Sequence, residues 1–263
     1  DGDGRGLIQG SSMAHPIPDR PPLRAVFLDI GETLMHPDPT WEHVYARAFA
    51  EFGISVDMAA LQVSLRRAYQ GGGYGFDGSL VPSADASHRR LVEMDEVAFT
   101  EIGLEPLPEA FFRHLASLFM DPATWHVFPD VRVVLPQLKA RRLLLGAVSN
   151  WAWQLPELLD ALDLGQHLDF VAASARIGYD KPHPGIFRWA LDRAKVAPDS
   201  VIHVGDHLDA DVAGARGVGI EAVLLDRRGR HQPPPDDVPV LRTLDELLPI
   251  VDARLAAVSG APG

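Results

Sequence analysis

The feature that most constrains the fold is a set of five short apolar runs, each of which ends in polar or glycine residues. They lie at 24–28, 143–148, 170–173, 201–204 and 222–225. A short run without polar alternation is typical of a strand that is buried on both faces. Helical patterns fill the intervals, at 131–141, 154–162, 184–195 and 209–216. Strands that alternate with helices predict an α/β fold, in which helices cover both faces of a parallel sheet.

Polar side chains stand at the ends of these runs or in the loops that follow them. They are Asp29, Ser149, Asn150, Lys181 and Asp206. In a parallel sheet the carboxyl ends of the strands share one edge, and ligands bind at that edge. The sequence therefore predicts that these residues form one site, although they are far apart in the chain.

The stretch from residue 37 to residue 128 breaks this alternation. Its apolar residues recur at helical spacing, and Gly or Pro separates four segments: 41–52, 58–69, 86–102 and 109–119. A helical insert directly after the first strand predicts a cap domain that lies over the site. The expected division is a core of residues 23–36 and 129–263 and a cap of residues 37–128.

The N-terminus and one glycine-rich stretch are not expected to contribute to the site. Residues 1–12 precede Met13 and are expected to be the remnant of a tag, and the proline-rich segment up to residue 22 is expected to be an unfolded lead-in. The stretch 71–75 (GGGYG) lacks the Gly-Lys-Ser/Thr ending of a phosphate-binding loop, so we expect a mobile loop of the cap.

Composition narrows the classes of function. The chain has 263 residues, a formal net charge of −12 and no cysteine. Such a charge repels nucleic-acid phosphates and anionic lipids, so we expect neither a nucleic acid nor a membrane as partner. The lack of cysteine excludes disulfides, thiolate metal sites and thiol nucleophiles. We expect a cytoplasmic globular protein that acts on a small molecule, and the sequence carries no signal for its oligomeric state.

Four segments, in order, resemble the four motifs of the haloacid dehalogenase superfamily. They are AVFLDIGETL (25–34), VSN (148–150), SARIGYDKPHPGIF (174–187) and HVGDHLDADVAGARGVG (203–219). The insert between the first two matches the subclass that has a helical cap at that position. The resemblance implies a Rossmann-like core, an all-helical cap and hydrolase activity, most often on a small phosphorylated metabolite.

The resemblance also implies how the reacting group is held. Asp29 would attack phosphorus and become an aspartyl-phosphate, which divides one difficult displacement into two easier ones. Mg²⁺ would be the cofactor, since it suits a site built of oxygen ligands. Its ligands would be Asp29, the carbonyl of Gly31 and Asp206, with Asp211 in support.

Three further residues would bind the phosphoryl group. By the same resemblance, Lys181 would neutralise both Asp29 and the phosphoryl oxygens, while Ser149 and Asn150 would hydrogen-bond to those oxygens. The resemblance covers nearly the whole chain from Leu23 onwards.

One position departs from the pattern of the phosphatases. They usually carry a second Asp two residues after the nucleophile, where it protonates the leaving group, but this chain has Gly31. The neighbouring Glu32 is a candidate to replace that acid or to bind substrate. Trp151 follows the second motif, and we expect it to pack in the core, with shaping of the pocket as the alternative.

Two alternatives to a phosphatase stay open. Dehalogenases of the superfamily also lack the second Asp, because a halide leaves without a proton, and they use no metal. A non-catalytic member that binds phosphate or a partner is the other alternative. The pattern of Asp206 and Asp211 favours the metal-dependent phosphatase, with a preference for substrates that have good leaving groups.

Overall fold

The computed structural model describes residues 21–70 and 79–259. These ranges contain a six-stranded sheet, whose strands are β1 (Ala25–Leu28), β4 (Leu144–Ser149), β5 (Phe170–Ala173), β6 (Val201–Gly205), β7 (Glu221–Leu225) and β8 (Val240–Leu241). The order of the strands is β5-β4-β1-β6-β7-β8, and all neighbouring strands run parallel. The parallel α/β sheet predicted from the apolar runs is therefore confirmed.

The central strand β1 shows why these runs must be apolar. Val26 and Leu28 belong to the hydrophobic cluster on one face of the sheet, and Ala25 and Phe27 belong to the cluster on the other face. Both faces of the sheet are covered, so a polar side chain at any position of β1 would be buried, whichever face it points to. The covering helices are α5 (Pro129–Ala140), α6 (Leu155–Ala161) and α10 (Leu247–Ser259) on the first face, and α8 (Pro184–Ala194) and α9 (Gly214–Arg216) on the second.

The predicted helix 209–216 differs from a regular α-helix. Leu208–Ala213 forms a π-helical turn, and only Gly214–Arg216 continues as α-helix. The carbonyl of His207 accepts hydrogen bonds from the N–H groups of both Asp211 and Val212, which widens the turn. Hydrophobic spacing does not distinguish a π turn from an α turn.

A small antiparallel ribbon was not predicted. Strand β2 (Met35–Pro37) pairs with β3 (Trp125–Val127), so the stretch 37–128 is not helical throughout. Each strand has three residues, too few for a period of two to be recognised. The ribbon brings the two ends of the helical insert together, and Met35 of β2 also forms a bridge with Gly31.

The insert contains the four expected helices, with ends that differ by two residues at most. They are α1 (Trp41–Glu51), α2 (Met58–Gln70), α3 (Ala84–Glu101) and α4 (Glu109–Met120). Their apolar faces form a cluster of their own, with Phe49, Leu61, Phe99 and Phe111 among its members. A short helix in the core, α7 (Ser174–Ile177), was not anticipated.

Some expectations fall outside the described ranges. Residues 1–20, which include the expected tag remnant, and the glycine-rich stretch 71–75 are among them. Within the described ranges, none of the helices combines the length and the apolar character that crossing a membrane requires.

Asp95 is a carboxylic acid buried inside the helical insert. Its side chain on α3 is enclosed in the cluster, with 4% of the residue exposed. Tyr45 and Tyr69 donate hydrogen bonds to its Oδ1, at 2.9 and 2.7 Å. Burial raises the pKa of Asp95 to about 7, although the two tyrosine hydrogen bonds act in the opposite direction.

We expect this carboxyl to make the stability of the protein depend on pH. The unfolded chain releases the proton at the ordinary pKa of 3.8, and the folded chain releases it only near 7. The free energy of unfolding should therefore fall as the pH rises from about 4 to about 7, by at most about 4 kcal/mol, and then level off. Asp95→Asn should remove this contribution of Asp95 to the pH dependence of the free energy of unfolding.

Urea unfolding at several pH values measures the effect. The stability of Asp95→Asn relative to wild type should increase between about pH 4.5 and 7 and stay constant above that. Asp85→Asn, which removes an exposed carboxyl from the same helix, controls for the loss of one charge. A difference between Asp95→Asn and wild type that does not change with pH would contradict the expectation.

Candidate active site

Asp29 lies directly beyond the end of β1, in the middle of the sheet edge. Its main-chain N–H still donates to the carbonyl of Val204 on β6, so the sheet holds the residue in place. The side chain is buried, and its Oδ1 accepts from Ser149 Oγ at 2.9 Å and from Lys181 Nζ at 2.6 Å. Thr33 Oγ1 donates to Oδ2 at 3.3 Å. Two residues from separate strand ends thus meet Asp29, as the parallel topology predicts.

Lys181 is a buried cation between two carboxylates. Its Nζ lies 2.6 Å from Asp29 Oδ1 and 2.5 Å from Asp211 Oδ1, and 3% of its side chain is exposed. Burial alone would lower the pKa of Lys181, but the two carboxylates raise it above its ordinary value. The two carboxylates therefore favour the charged form of the lysine.

Asp211 accepts hydrogen bonds from three groups. In addition to Lys181, His203 Nε2 lies 2.9 Å from its Oδ1, and the N–H of His207 donates to its Oδ2 at 3.0 Å. Burial alone would raise the pKa of Asp211, but Lys181 and His203 hold it well below its ordinary range. The contacts with Lys181, His203 and His207 thus fix the orientation of the Asp211 carboxylate.

Asp206 follows β6 and completes a cluster of carboxylates. One oxygen from each of Asp29, Asp206 and Asp211 lies within 4.8 Å of the others. Burial and the two neighbouring carboxylates raise the pKa of Asp206 above its ordinary value, against the opposing effect of Arg230, which pairs with it. Negative charge exceeds positive charge here, and oxygen ligands suit a hard divalent cation.

Asn150 connects the end of β4 to the loop that carries Lys181. Its Nδ2 donates to the carbonyl of Lys181 at 2.9 Å, and its Oδ1 accepts from the N–H of Lys181 at 2.6 Å. Both polar groups of the side chain thus contact main-chain groups, and Asn150 helps to hold the loop in place.

The turn at Gly31 is closed by aromatic rings. A Cβ at position 31 would lie 3.3 Å from Trp151 and 3.7 Å from Trp41. The ring of Trp125 lies 5.3 Å from that of Trp41 and 5.1 Å from that of Trp151, centre to centre. Trp151 thus packs on the core and also borders the turn at Gly31. The space beside Gly31 is apolar.

Glu32 is directed towards two partners at this turn. Its backbone has a φ of +58°, which is uncommon for a residue with a side chain. Its Oε1 accepts from Trp41 Nε1 at 3.2 Å, and its Oε2 pairs with Arg228 at 2.8 Å. Both carboxylate oxygens of Glu32 therefore have a partner.

Sequence reasoning missed several residues of this region. Thr33 and His203 lie inside the quoted motifs, so their positions were visible, but nothing showed which carboxylate each would contact. Arg228 and Arg230 follow the fifth apolar run. Polar residues after the other runs were selected as site candidates, and the same reasoning could have found these two arginines. Trp41 and Trp125 carried no local signal, because they lie at opposite ends of the insert.

Comparison with known proteins agrees with this geometry. The sequence pattern of a family described as haloacid dehalogenase-like hydrolase matches residues 23–219. Haloacid dehalogenase-like hydrolase domain-containing protein 3 of Bos taurus is 30% identical over 250 residues, which cover 91% of this chain and 96% of that protein. Glyceraldehyde 3-phosphate phosphatase of Methanopyrus kandleri is 29% identical over 220 residues, or 80% of this chain and 86% of that protein.

Solved structures have the same architecture. A HAD phosphatase from Thermococcus onnurineus is 25% identical, with a TM-score of 0.62 over 87% of this chain and 98% of its own. A 2-haloacid dehalogenase from Pseudomonas syringae is also 25% identical, with a TM-score of 0.63 over 88% of this chain and 99% of its own. The chain therefore belongs to the haloacid dehalogenase-like hydrolases.

Proposed function

We propose that this protein is a Mg²⁺-dependent phosphatase that hydrolyses a small phosphorylated metabolite through a covalent intermediate on Asp29. The observation that carries the proposal is the contact of Asp29 with Lys181, at 2.6 Å, within a cluster of three carboxylates. A phosphatase among the relatives of the chain supports the same reaction class.

The residues of the chain have distinct tasks in this reaction. An oxygen of Asp29 forms a bond to phosphorus, and the leaving group departs with the electrons of its own bond to phosphorus. Lys181 and the hydroxyl of Ser149, both already beside Asp29, offset the charge of the phosphoryl oxygens. Water then hydrolyses the aspartyl-phosphate, which releases inorganic phosphate and restores the carboxylate.

The donor set fits a magnesium ion. Asp29, Asp206 and the carbonyl of Gly31 would hold it, and Asp211, engaged by Lys181 and two histidines, would support them. All of these donors are oxygens, and burial together with the neighbouring carboxylates Asp29 and Asp211 raises the pKa of Asp206, an effect that a bound cation would oppose. When bound, Mg²⁺ supplies the positive charge that reduces repulsion between Asp29 and the phosphoryl group.

The helical insert has direct contacts with two loops of the core, the one that follows Ser149 and the one that carries Lys181. Ser87 Oγ accepts from the N–H of Trp153 at 3.1 Å, and Arg90 pairs with Asp180, the residue before Lys181. We infer that residues 37–128 act as a cap that covers the site and selects the substrate.

A metal-dependence assay tests the proposal. p-Nitrophenyl phosphate should be hydrolysed with Mg²⁺, should not be hydrolysed with EDTA, and should be hydrolysed again when Mg²⁺ is restored. Absence of turnover under all conditions would favour the non-catalytic alternative. Halide release from 2-haloacids without metal would favour the dehalogenase, which Gly31 and the similarity to a 2-haloacid dehalogenase keep as the second candidate.

Gly31 should make the rate depend on the leaving group. Position 31 offers no proton donor, and general acid catalysis is worth about 10²–10⁴-fold. We expect log kcat/KM to fall as the pKa of the leaving group rises, with alkyl phosphates far slower than aryl phosphates. Gly31→Asp should raise the rate on alkyl phosphates selectively, since it restores a carboxyl at this position and Trp151 needs to move only slightly to admit its Cβ. A flat plot while chemistry limits the rate would refute this expectation.

A further inference from the structure

The loop after β7 is held rigidly at the same edge of the sheet. The side chain of Asp226 is buried and accepts from the N–H groups of Arg230 and His231, at 2.8 and 3.1 Å. Its Oδ2 also pairs with Arg242 at 2.9 Å. The conformation of residues 226–231 is therefore set by a carboxylate beneath the loop.

Arg227 fixes the loop from the side. Its two terminal nitrogens contact Asp130 at 2.8 and 3.1 Å, and its Nε donates to the carbonyl of Thr33 at 3.0 Å. Its guanidinium also lies over the ring of Phe128, 3.9 Å from the ring centre. The loop is thus tied to the turn that follows Asp29.

Arg228 and Arg230 lie in the same loop, and the side chain of each contacts an acidic residue near the site. Arg228 pairs with Glu32 at 2.8 Å, and Arg230 pairs with Asp206. Their side chains are 49% and 42% exposed. A guanidinium has five N–H donors in a planar fork, so each of these contacts leaves donors that face solvent.

Arg228 and Arg230 lie on the side of the site where the leaving group of the substrate, which is not transferred to Asp29, is expected. Glu32, the partner of Arg228, also binds Trp41, whose ring borders Gly31, where the leaving group is expected. Asp206, the partner of Arg230, lies within 4.8 Å of Asp29. Lys181 does not serve this purpose, because it is buried between two carboxylates.

Charge explains what such a pair would bind. The chain carries a net charge of −12, which disfavours the approach of an anionic ligand unless local cations offset it. A guanidinium matches the geometry of a carboxylate or phosphate, which Arg binds through paired hydrogen bonds. We propose that Arg228 and Arg230 form a second anion subsite, and that the substrate of the proposed phosphatase carries an anionic oxygen group in addition to the phosphate that it loses.

Binding of two phosphonates in the presence of Mg²⁺ tests this subsite without relying on turnover. Phenylphosphonate and 4-carboxyphenylphosphonate differ only in the carboxylate, and calorimetry gives the Kd of each. We expect wild type to bind the carboxylated compound about fivefold more tightly. Arg228→Gln should reduce this ratio of Kd values, and the double variant with Arg230→Gln should abolish it. Glu32→Gln should increase the ratio, because it removes a competing carboxylate.

Arg216→Gln is the matched control, since Arg216 is a half-exposed arginine that pairs with Asp237, away from the site. It should keep the wild-type ratio. Equal Kd values for the two compounds in wild type, or an unchanged ratio in the double variant, would overturn the subsite while Mg²⁺-dependent turnover left the phosphatase in place. A clear preference for the carboxylated compound without turnover of any phosphate ester would instead reject the phosphatase and support the subsite. Failure of wild type to bind either compound would count against both.

Discussion

Asp29→Asn is expected to lower kcat on p-nitrophenyl phosphate by a factor on the order of 10⁴. An amide cannot form the covalent bond to phosphorus, so the two-step route is lost. The fold should be retained, because Asn has the size of Asp and still offers an oxygen to Ser149 and Lys181. The measurement is kcat at saturating Mg²⁺, together with the melting temperature.

Asp209→Asn is the matched control for this variant. Asp209 is an exposed acid of the π-helical turn, three residues from Asp206, and it is no member of the carboxylate cluster. Its substitution should leave kcat within about twofold of wild type. If Asp29→Asn kept more than about a tenth of the wild-type activity, Asp29 would not be the nucleophile.

Lys181→Met is expected to impair both stability and activity. Methionine keeps the length of the side chain but leaves Asp29 and Asp211 buried without their shared cation. Loss of one partner from a buried ion pair costs about 3–5 kcal/mol. Loss of a charged group that stabilises the phosphoryl oxygens should lower kcat by a further factor of about 10²–10³. Urea unfolding and kinetics with p-nitrophenyl phosphate measure the two effects.

Lys139→Met is the control for Lys181→Met, because it removes a lysine from an ion pair that is not buried. Lys139 pairs with Asp169 at 2.7 Å, but about a third of each side chain is exposed. Such a pair contributes about 0–1 kcal/mol, and it lies outside the site. Equal losses of stability in Lys181→Met and Lys139→Met would show that the buried contacts of Lys181 with Asp29 and Asp211 do not cause the loss of stability.

The cluster of carboxylates bears directly on the choice between phosphatase and dehalogenase. The overall fold does not separate the two, since a solved structure of each kind has nearly the same TM-score. One oxygen from each of Asp29, Asp206 and Asp211 lies within 4.8 Å of the others. Such a group of oxygen ligands suits a hard divalent cation, and this argument favours the metal-dependent reaction in spite of Gly31.

The sheet edge could be predicted because its causes are local. Each apolar run is long enough to reveal a strand that is buried on both faces, and a parallel sheet must place all strand ends at one edge. Asp29, Ser149 and Lys181 therefore meet although 152 positions separate the first from the last. The helices of the insert were predictable for a similar reason, since their apolar spacing extends over several turns.

Other features could not be predicted, because they depend on which atoms meet in space. The ribbon of β2 and β3 has three residues in each strand, and its pairing joins positions about 90 residues apart. Nothing in the sequence indicated that both polar groups of the Asn150 side chain contact the main chain of Lys181. Trp151 looked like a core residue, yet it also borders Gly31.

The amino-acid sequence by itself determined the α/β sheet, the helical insert and the set of polar residues at the strand ends, because hydrophobic periodicity and strand direction specify them without knowledge of distant contacts. Only the tertiary structure decided the partner of each polar side chain: Lys181 between two carboxylates, Asn150 on the main chain, and Arg228 and Arg230 on the acids beside the site. The physical reason is that hydrogen bonds and ion pairs act over about 3 Å, and a linear pattern carries no information about distances of that size between residues that are far apart in the chain.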